Sequence, residues 1–218
     1  MKNSKYIILW VTFFAIWMAY FESTVVVYLR ELYFPEGFQF PIKFLPIKLS
    51  IIEIGREFST LMMLLGLAFI GSKKNWTRFG IFMLSFGVWD IWYYIWLKVM
   101  LNWPESLLTW DLLFLIPVPW VGPVLAPVLV SVALIFAGIA IIYLEGNGYK
   151  ITLRKSEWGL VILAGVIIFV SFILDAPAIM RLEAPENYNW YLFMIGELIG
   201  VVVSVIALQR SLATGKTS

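Results

Sequence analysis

The sequence predicts an all-α, polytopic integral membrane protein: a helical bundle of six transmembrane helices with both termini inside and a Pro-rich re-entrant segment at about 104–122 on the outer side. Three observations predict it. Of the 218 residues, 61% are hydrophobic and only 14% are charged, whereas soluble domains run at roughly 45–50% apolar and about 25% charged. Six stretches meet the roughly 20 apolar residues that one helical crossing of a bilayer core about 30 Å thick requires. The basic residues between those stretches gather in every second connection, which the positive-inside rule reads as the cytoplasmic side.

The six spans are expected at about 6–28, 49–70, 79–101, 123–144, 158–176 and 189–209, in one membrane domain covering 1–218. The first follows Met1-Lys2-Asn3-Ser4-Lys5 and resembles a secretory signal, but its apolar run is too long and lacks a small-x-small cleavage site, so it reads as an uncleaved span. Positive charge collects at Lys2 and Lys5, at Lys73, Lys74 and Arg78, at Lys150, Arg154 and Lys155, and at Arg210 and Lys216. Six crossings put all four clusters on one side, with the N- and C-termini. Between the third and fourth spans, Pro104, Pro117, Pro119, Pro123 and Pro127 bracket an apolar run from Leu107 to Ile116 that is too short to cross alone. A seventh crossing there would move the Lys150, Arg154, Lys155 cluster outside, so parity favours a segment that dips in from the outer side and returns. Backbone of that kind survives at membrane depth only where protein or a water-filled cavity surrounds it. No internal repeat is evident, which argues against the inverted-repeat transporter architectures.

Composition also excludes chemistry. His and Cys are both absent, which removes disulfides, thiol nucleophiles, histidine bases, haem and Fe–S ligation and ordinary zinc sites. No calcium-loop spacing occurs, so no metal and no cofactor is expected. A formal charge of +2 without a basic run gives no nucleic-acid footprint. Gly146-Asn147-Gly148 lacks the strand and the Lys-Ser/Thr of a phosphate loop.

What chemistry remains belongs to carboxylates, guanidinium, hydroxyls and aromatic faces, and ionisable residues inside spans are the place to look, since each carries an insertion penalty of about 2.5–3.5 kcal/mol. Glu22 falls late in the first span; Glu53, Arg56 and Glu57 early in the second; Asp90 near the middle of the third; Asp111 on the re-entrant segment; Asp175 at the end of the fifth; and Glu197 in the sixth. All map to the outer half or the midplane. Glu53 and Glu57 are i, i+4 neighbours and Arg56 is i+3 from Glu53, so the second span carries a charged face. Carboxylates outnumber the nearby cations, and Lys98, Arg30 and Arg181 lie toward the boundary, where long basic side chains snorkel. Trp89, Trp92, Trp96, Trp103 and Trp110 read as packing and interface anchors.

These residues suit a cavity that binds or translocates an ion, a proton or a small cationic solute, with Glu22, Glu53, Arg56, Glu57, Asp90, Asp111, Glu197, Tyr93 and Tyr94 as binding residues; the rings of Tyr93 and Tyr94 offer faces that attract cations. The alternative is an intramembrane enzyme acting on a lipid or isoprenoid by acid-base chemistry, with Asp90 and Asp111 as catalytic residues. A third reading is an accessory subunit whose charges pair internally or with a partner. Gly196, Gly200 and Ser204 stand at four-residue intervals, a close-packing face for a neighbouring span or for a homo-oligomer. The expected surroundings are a lipid bilayer, in a plasma or inner membrane, with an ion, cationic solute or lipid as ligand. The inner half of the bundle is too apolar for a static aqueous path.

Overall fold

The structure is a computed structural model that describes residues 2–42 and 45–216; the side chain of Lys2, counted above among the basic residues, lies outside the described set. Six helices are long and apolar enough to cross a membrane. They are α1 (Lys2–Tyr33), α2 (Ile47–Gly71), α3 (Asn75–Leu101), α4 (Leu125–Gly146), α5 (Lys155–Ile173) and α7 (Trp190–Ala213), with a short α6 (Ala176–Met180) between the last two. This is the architecture of a multi-pass membrane protein. Large apolar side chains such as Phe21, Ile70, Phe136 and Tyr191 point outward, as a lipid-facing surface requires.

The helices run past the limits of the hydropathy windows. Helix α1 continues through Arg30 and Glu31 to Tyr33, because backbone hydrogen bonding does not stop where apolarity does. Asn102, in the left-handed conformation at φ 53°, ends α3. At 104–122 the helical bundle carries a non-helical segment. It contains two antiparallel strands, β1 (Trp110–Phe114) and β2 (Trp120–Pro123), paired Asp111 to Gly122 and Leu112 to Val121. An extended hairpin meets its backbone needs by pairing with itself, so this proline-punctuated stretch does without a helix. Its apolar side chains pack on α5 and on the connection before α7: Trp120 stacks on Phe172, and Trp110 meets Tyr188 edge to face.

Helix α3 is the centre of the packing. Against α1 it meets a stripe of small residues, Ala15, Ala19 and Ser23, each fully buried; the Ser23 hydroxyl donates to the Ala19 and Tyr93 carbonyls, and the Trp96 indole donates to the Ile16 carbonyl. Against α4 the backbones approach closely. A Cβ on Gly138 would lie 2.6 Å from the Gly80 carbonyl oxygen, and one on Gly87 would lie 2.5 Å from that of Ser131. Small residues supply this approach where no hydrophobic effect drives helices together. Gly196 serves the same purpose between α7 and α5: a Cβ there would lie 2.8 Å from Ile168 and 3.0 Å from the Ala164 carbonyl.

The two ends of the bundle differ. The end carrying the chain termini is tied by charge to backbone: the Glu145 carboxylate accepts both the amide and the hydroxyl of Thr77 in the first turn of α3, and Glu157 pairs with Arg210 while accepting the Arg154 amide. Between the ends lies an apolar core around Val11, Leu64, Ala68, Ile81, Leu84 and Ile142. The other end carries the hairpin.

Gly87→Val is expected to destabilise the fold by about 1–3 kcal/mol, because the side chain has no room against α4. Gly165→Val, where nothing lies within 4 Å, is expected to stay within about 0.5 kcal/mol of the parent. Thermal unfolding of the two purified variants in one detergent measures the difference.

Candidate functional site

Beneath the hairpin is a cavity of about 160 Å³. Its walls are the last third of α1, the first half of α2, the second half of α3, the hairpin strand β1 and the connection between α1 and α2. Eight of the nine residues expected to form the site line it: Glu22, Glu53, Arg56, Glu57, Asp90, Tyr93, Tyr94 and Asp111. Glu197 does not. It lies on α7, half-buried, and no hydrogen bond or ion pair joins it to another described residue.

Arg56 forms the floor of the cavity with its two acids. Its Nε donates to Glu53 Oε2 at 2.7 Å, one turn earlier on α2, and its Nη1 lies 2.8 Å from Glu22 Oε1 on α1. Thr60, one turn further along α2, donates to the other Glu22 oxygen at 3.2 Å. A guanidinium suits this position because its fork reaches two carboxylates at fixed angles and keeps its charge when desolvated.

A second ion pair lies further along α1 in the cavity wall. Arg30 Nη2 lies 3.3 Å from Asp111 Oδ1, and the Arg30 guanidinium sits over the rings of Trp103, at 3.8 Å, and Phe38, at 4.3 Å. Arg30 is therefore buried at 7% exposure and does not snorkel as its place near the span boundary suggested. The connection after α1 folds back over it, and two aromatic faces replace water as its solvation. Lys98 does behave as a boundary residue, donating to the Asn102 and Pro104 carbonyls beyond the end of α3. Asp111 lies outside the six long helices. Burial raises its carboxyl above the ordinary range, and the Arg30 charge works against that rise.

Glu57 and Asp90 form no ion pair with either guanidinium. Glu57 accepts the Leu115 amide at 2.9 Å, which ties the hairpin to α2, and Asp90 accepts the Ser131 hydroxyl from α4 at 2.8 Å. Neither has a cation within ion-pair distance among the described residues. Asp90 and Asp111 border the same space, yet each is held by a different partner and no hydrogen bond joins them. Five carboxylates and two guanidiniums thus face one cavity, a formal excess of three negative charges when all are ionised. Among the described residues no group of three or more acids is placed to hold a metal ion.

Some participants were not evident from sequence. Trp89 looked like a packing anchor; it is 3% exposed and lines the cavity, with its indole beside the Glu22 carboxylate. Ser131, the partner of Asp90, had no distinguishing pattern in an apolar span. Asp175 begins α6 and stays away from the cavity. Comparison with protein-family profiles, with curated proteins and with solved structures found no match to this chain.

Arg56→Gln leaves Glu22 and Glu53 facing each other without a cation, so a loss of about 3–5 kcal/mol is expected. The double variant Glu22→Gln with Arg56→Gln is expected to recover part of that loss, because one buried charge is removed with its partner. A double-mutant cycle on thermal or denaturant unfolding reads the coupling.

Proposed function

We propose that this chain is a multi-pass protein of a plasma or inner membrane whose cavity faces outward and binds, or carries across, an ion, a proton or a small cationic solute. The observation that carries the reading is the acid excess. Each guanidinium is already committed, Arg56 to Glu22 and Glu53 and Arg30 to Asp111, which leaves Glu57 and Asp90 outside any ion pair among the described residues, in a cavity also lined by Trp89, Tyr93 and Tyr94. Unpaired carboxylates in a low-dielectric site hold a proton or attract a cation, and aromatic faces favour ammonium over smaller, more strongly hydrated ions.

The outward direction follows from the basic residues. Lys74, Arg78, Arg154, Lys155, Arg210 and Lys216 sit at the end bearing the termini, which the positive-inside rule makes cytoplasmic, so the hairpin end faces out. In this arrangement the hairpin is a re-entrant cap, its strands sheltered between α5 and the cavity. Apolar packing around Leu64, Ile81 and Ile142 closes the inner half, so the site is blind in this state and translocation requires a second state in which that half opens.

Titration of the purified protein with tetramethylammonium, read by tryptophan fluorescence, tests the reading. Saturable binding is expected, weakened about tenfold or more by Asp90→Asn or Glu57→Gln through loss of a charged contact. Glu197→Gln is expected to bind like the parent, since it lies outside the cavity. Binding that is absent, or indifferent to Asp90 and Glu57, overturns the proposal.

A second reading, carboxylate chemistry on a lipid or isoprenoid, is favoured by one feature: Asp90 and Asp111 border a space whose upper walls are apolar. Turnover of added lipid extract that disappears in Asp90→Asn would select it. Loss of neither binding nor turnover points to an accessory subunit.

A further inference from the structure

A second concave surface lies away from the acidic cavity, at the end of the bundle that carries the termini: a groove of about 390 Å³ between α2 and α3. Leu65, Ala68 and Phe69 of α2 and Phe79 and Phe82 of α3 form its apolar walls, and Asn75 and Arg78 border it where the two helices join. Phe82 is seven residues into α3, so the groove descends about 10 Å from the turn toward the middle of the bundle. Leu65, Phe69 and Phe79 are exposed. The groove therefore opens sideways, to the lipid around a membrane helix.

Arg78 is held in one pose at its upper end. Its Nε donates to the Ser72 carbonyl at 2.8 Å, its Nη1 to Asn75 Oδ1 at 3.4 Å, and the guanidinium lies 4.4 Å over the Phe69 ring. Nη2 has no hydrogen-bond partner among the described residues, and the side chain is only half-buried, so an outside oxygen can reach it. Arg78 also forms no ion pair among the described residues. Lys73 and Lys74 stand in the same turn. Glu145 is the acid beside them, and its carboxylate is taken by the Thr77 amide and hydroxyl while Lys74 donates to its backbone carbonyl. No acid borders the groove. A pre-positioned guanidinium in a basic turn, above an apolar channel open to the bilayer, calls for an anion that carries a hydrocarbon chain.

We propose that this groove holds one phospholipid with a net negative headgroup. A phosphate oxygen accepts from Arg78 Nη2 in the field of Lys73 and Lys74, and an acyl chain lies along Leu65, Phe69, Phe79 and Phe82. Basic recesses between membrane helices on the cytoplasmic side take anionic headgroups in this way, whereas a zwitterionic headgroup brings its own cation against three others. The site is separate from the acidic cavity and does not depend on what that cavity binds.

Mass spectrometry of the intact full chain, released from a neutral detergent with equimolar dioctanoylphosphatidylglycerol and dioctanoylphosphatidylcholine, counts the bound lipids. The two probes share their chains, so micelle partitioning largely cancels in the ratio. The parent is expected to carry one phosphatidylglycerol, preferred about tenfold, the worth of a hydrogen bond to a charged group. Arg78→Gln is expected to bring the ratio close to one, while Lys155→Gln, which removes a basic charge at the same end outside the groove, keeps it. Leu65→Trp leaves Arg78 and its contacts in place and fills the groove, and is expected to lower the phosphatidylglycerol adduct severalfold. Glycerophosphoglycerol, the headgroup without chains, is expected not to displace the lipid at equal concentration. No preference in the parent, a preference that survives Arg78→Gln or is lost equally in Lys155→Gln, an adduct indifferent to Leu65→Trp, or displacement by the bare headgroup overturns the proposal. A dimer of the chain that Leu65→Trp disrupts, without lipid adducts, also overturns it and assigns the groove to a second copy.

Discussion

At the hairpin end, α1 and α2 are joined by charge. Arg56 reaches from α2 to Glu22 on α1 while holding Glu53 on its own helix, and Thr60 adds a hydrogen bond to the same Glu22. Toward the other end, Val11 and Ala15 of α1 and Leu64 and Ala68 of α2 belong to one apolar cluster with Ile81 and Leu84 of α3. Where that apolar cluster gives way to the ion pairs of Arg56, the cavity lies between α1, α2 and α3. The pairing of Arg30 with Asp111, the bond from the Leu115 amide to Glu57 and the position of the hairpin all follow from having that space to close.

A lipid environment makes such an arrangement demanding. Charges withdrawn from water need partners in good geometry, since attraction in a low-dielectric interior only offsets desolvation when the fit is close. Arg56 meets this with two carboxylates. Arg30 meets it with one carboxylate and two aromatic faces, a cheaper form of solvation that also pins the connection after α1 through Phe38 and the end of α3 through Trp103. This part of the cavity wall is thereby assembled from stretches of chain that meet on one side chain.

Much of this was legible in the residues. Spans are set by bilayer thickness, so a run such as 125–146 announces itself, and the scarcity of charge made each intramembrane acid conspicuous; i, i+3 and i, i+4 spacing was enough to join Glu53, Arg56 and Glu57. Other features depend on long-range folding that no local pattern encodes. Glu197 resembles Glu22 in sequence context, yet it sits on α7, which packs on α5 away from the cavity. Arg30 looked like a boundary residue because nothing near it in sequence shows that Phe38 and Trp103 will fold over it. The hairpin was hidden because Pro117, Pro119 and Pro123 break a helical pattern equally for a loop, a bend or a strand pair. Gly80, Gly87 and Gly138 stand in no local pattern that marks them, and only the approach of α3 to α4 gives them their role.

That approach has a mechanical consequence. Close backbone contact at Gly80 with Gly138 and at Gly87 with Ser131, together with the Glu145 carboxylate clasping the first turn of α3, welds α3 and α4 into one rigid spar. Ser131 and Asp90 belong to that spar, so the wall bearing Asp90 is a fixed reference. Helix α2, with Glu53, Arg56 and Glu57, leans on the spar from one side and is fastened to α1 at the cavity by charge. A change in the volume of the cavity would therefore have to come from α1 or α2 moving against that frame, at the expense of the ion pairs that join them.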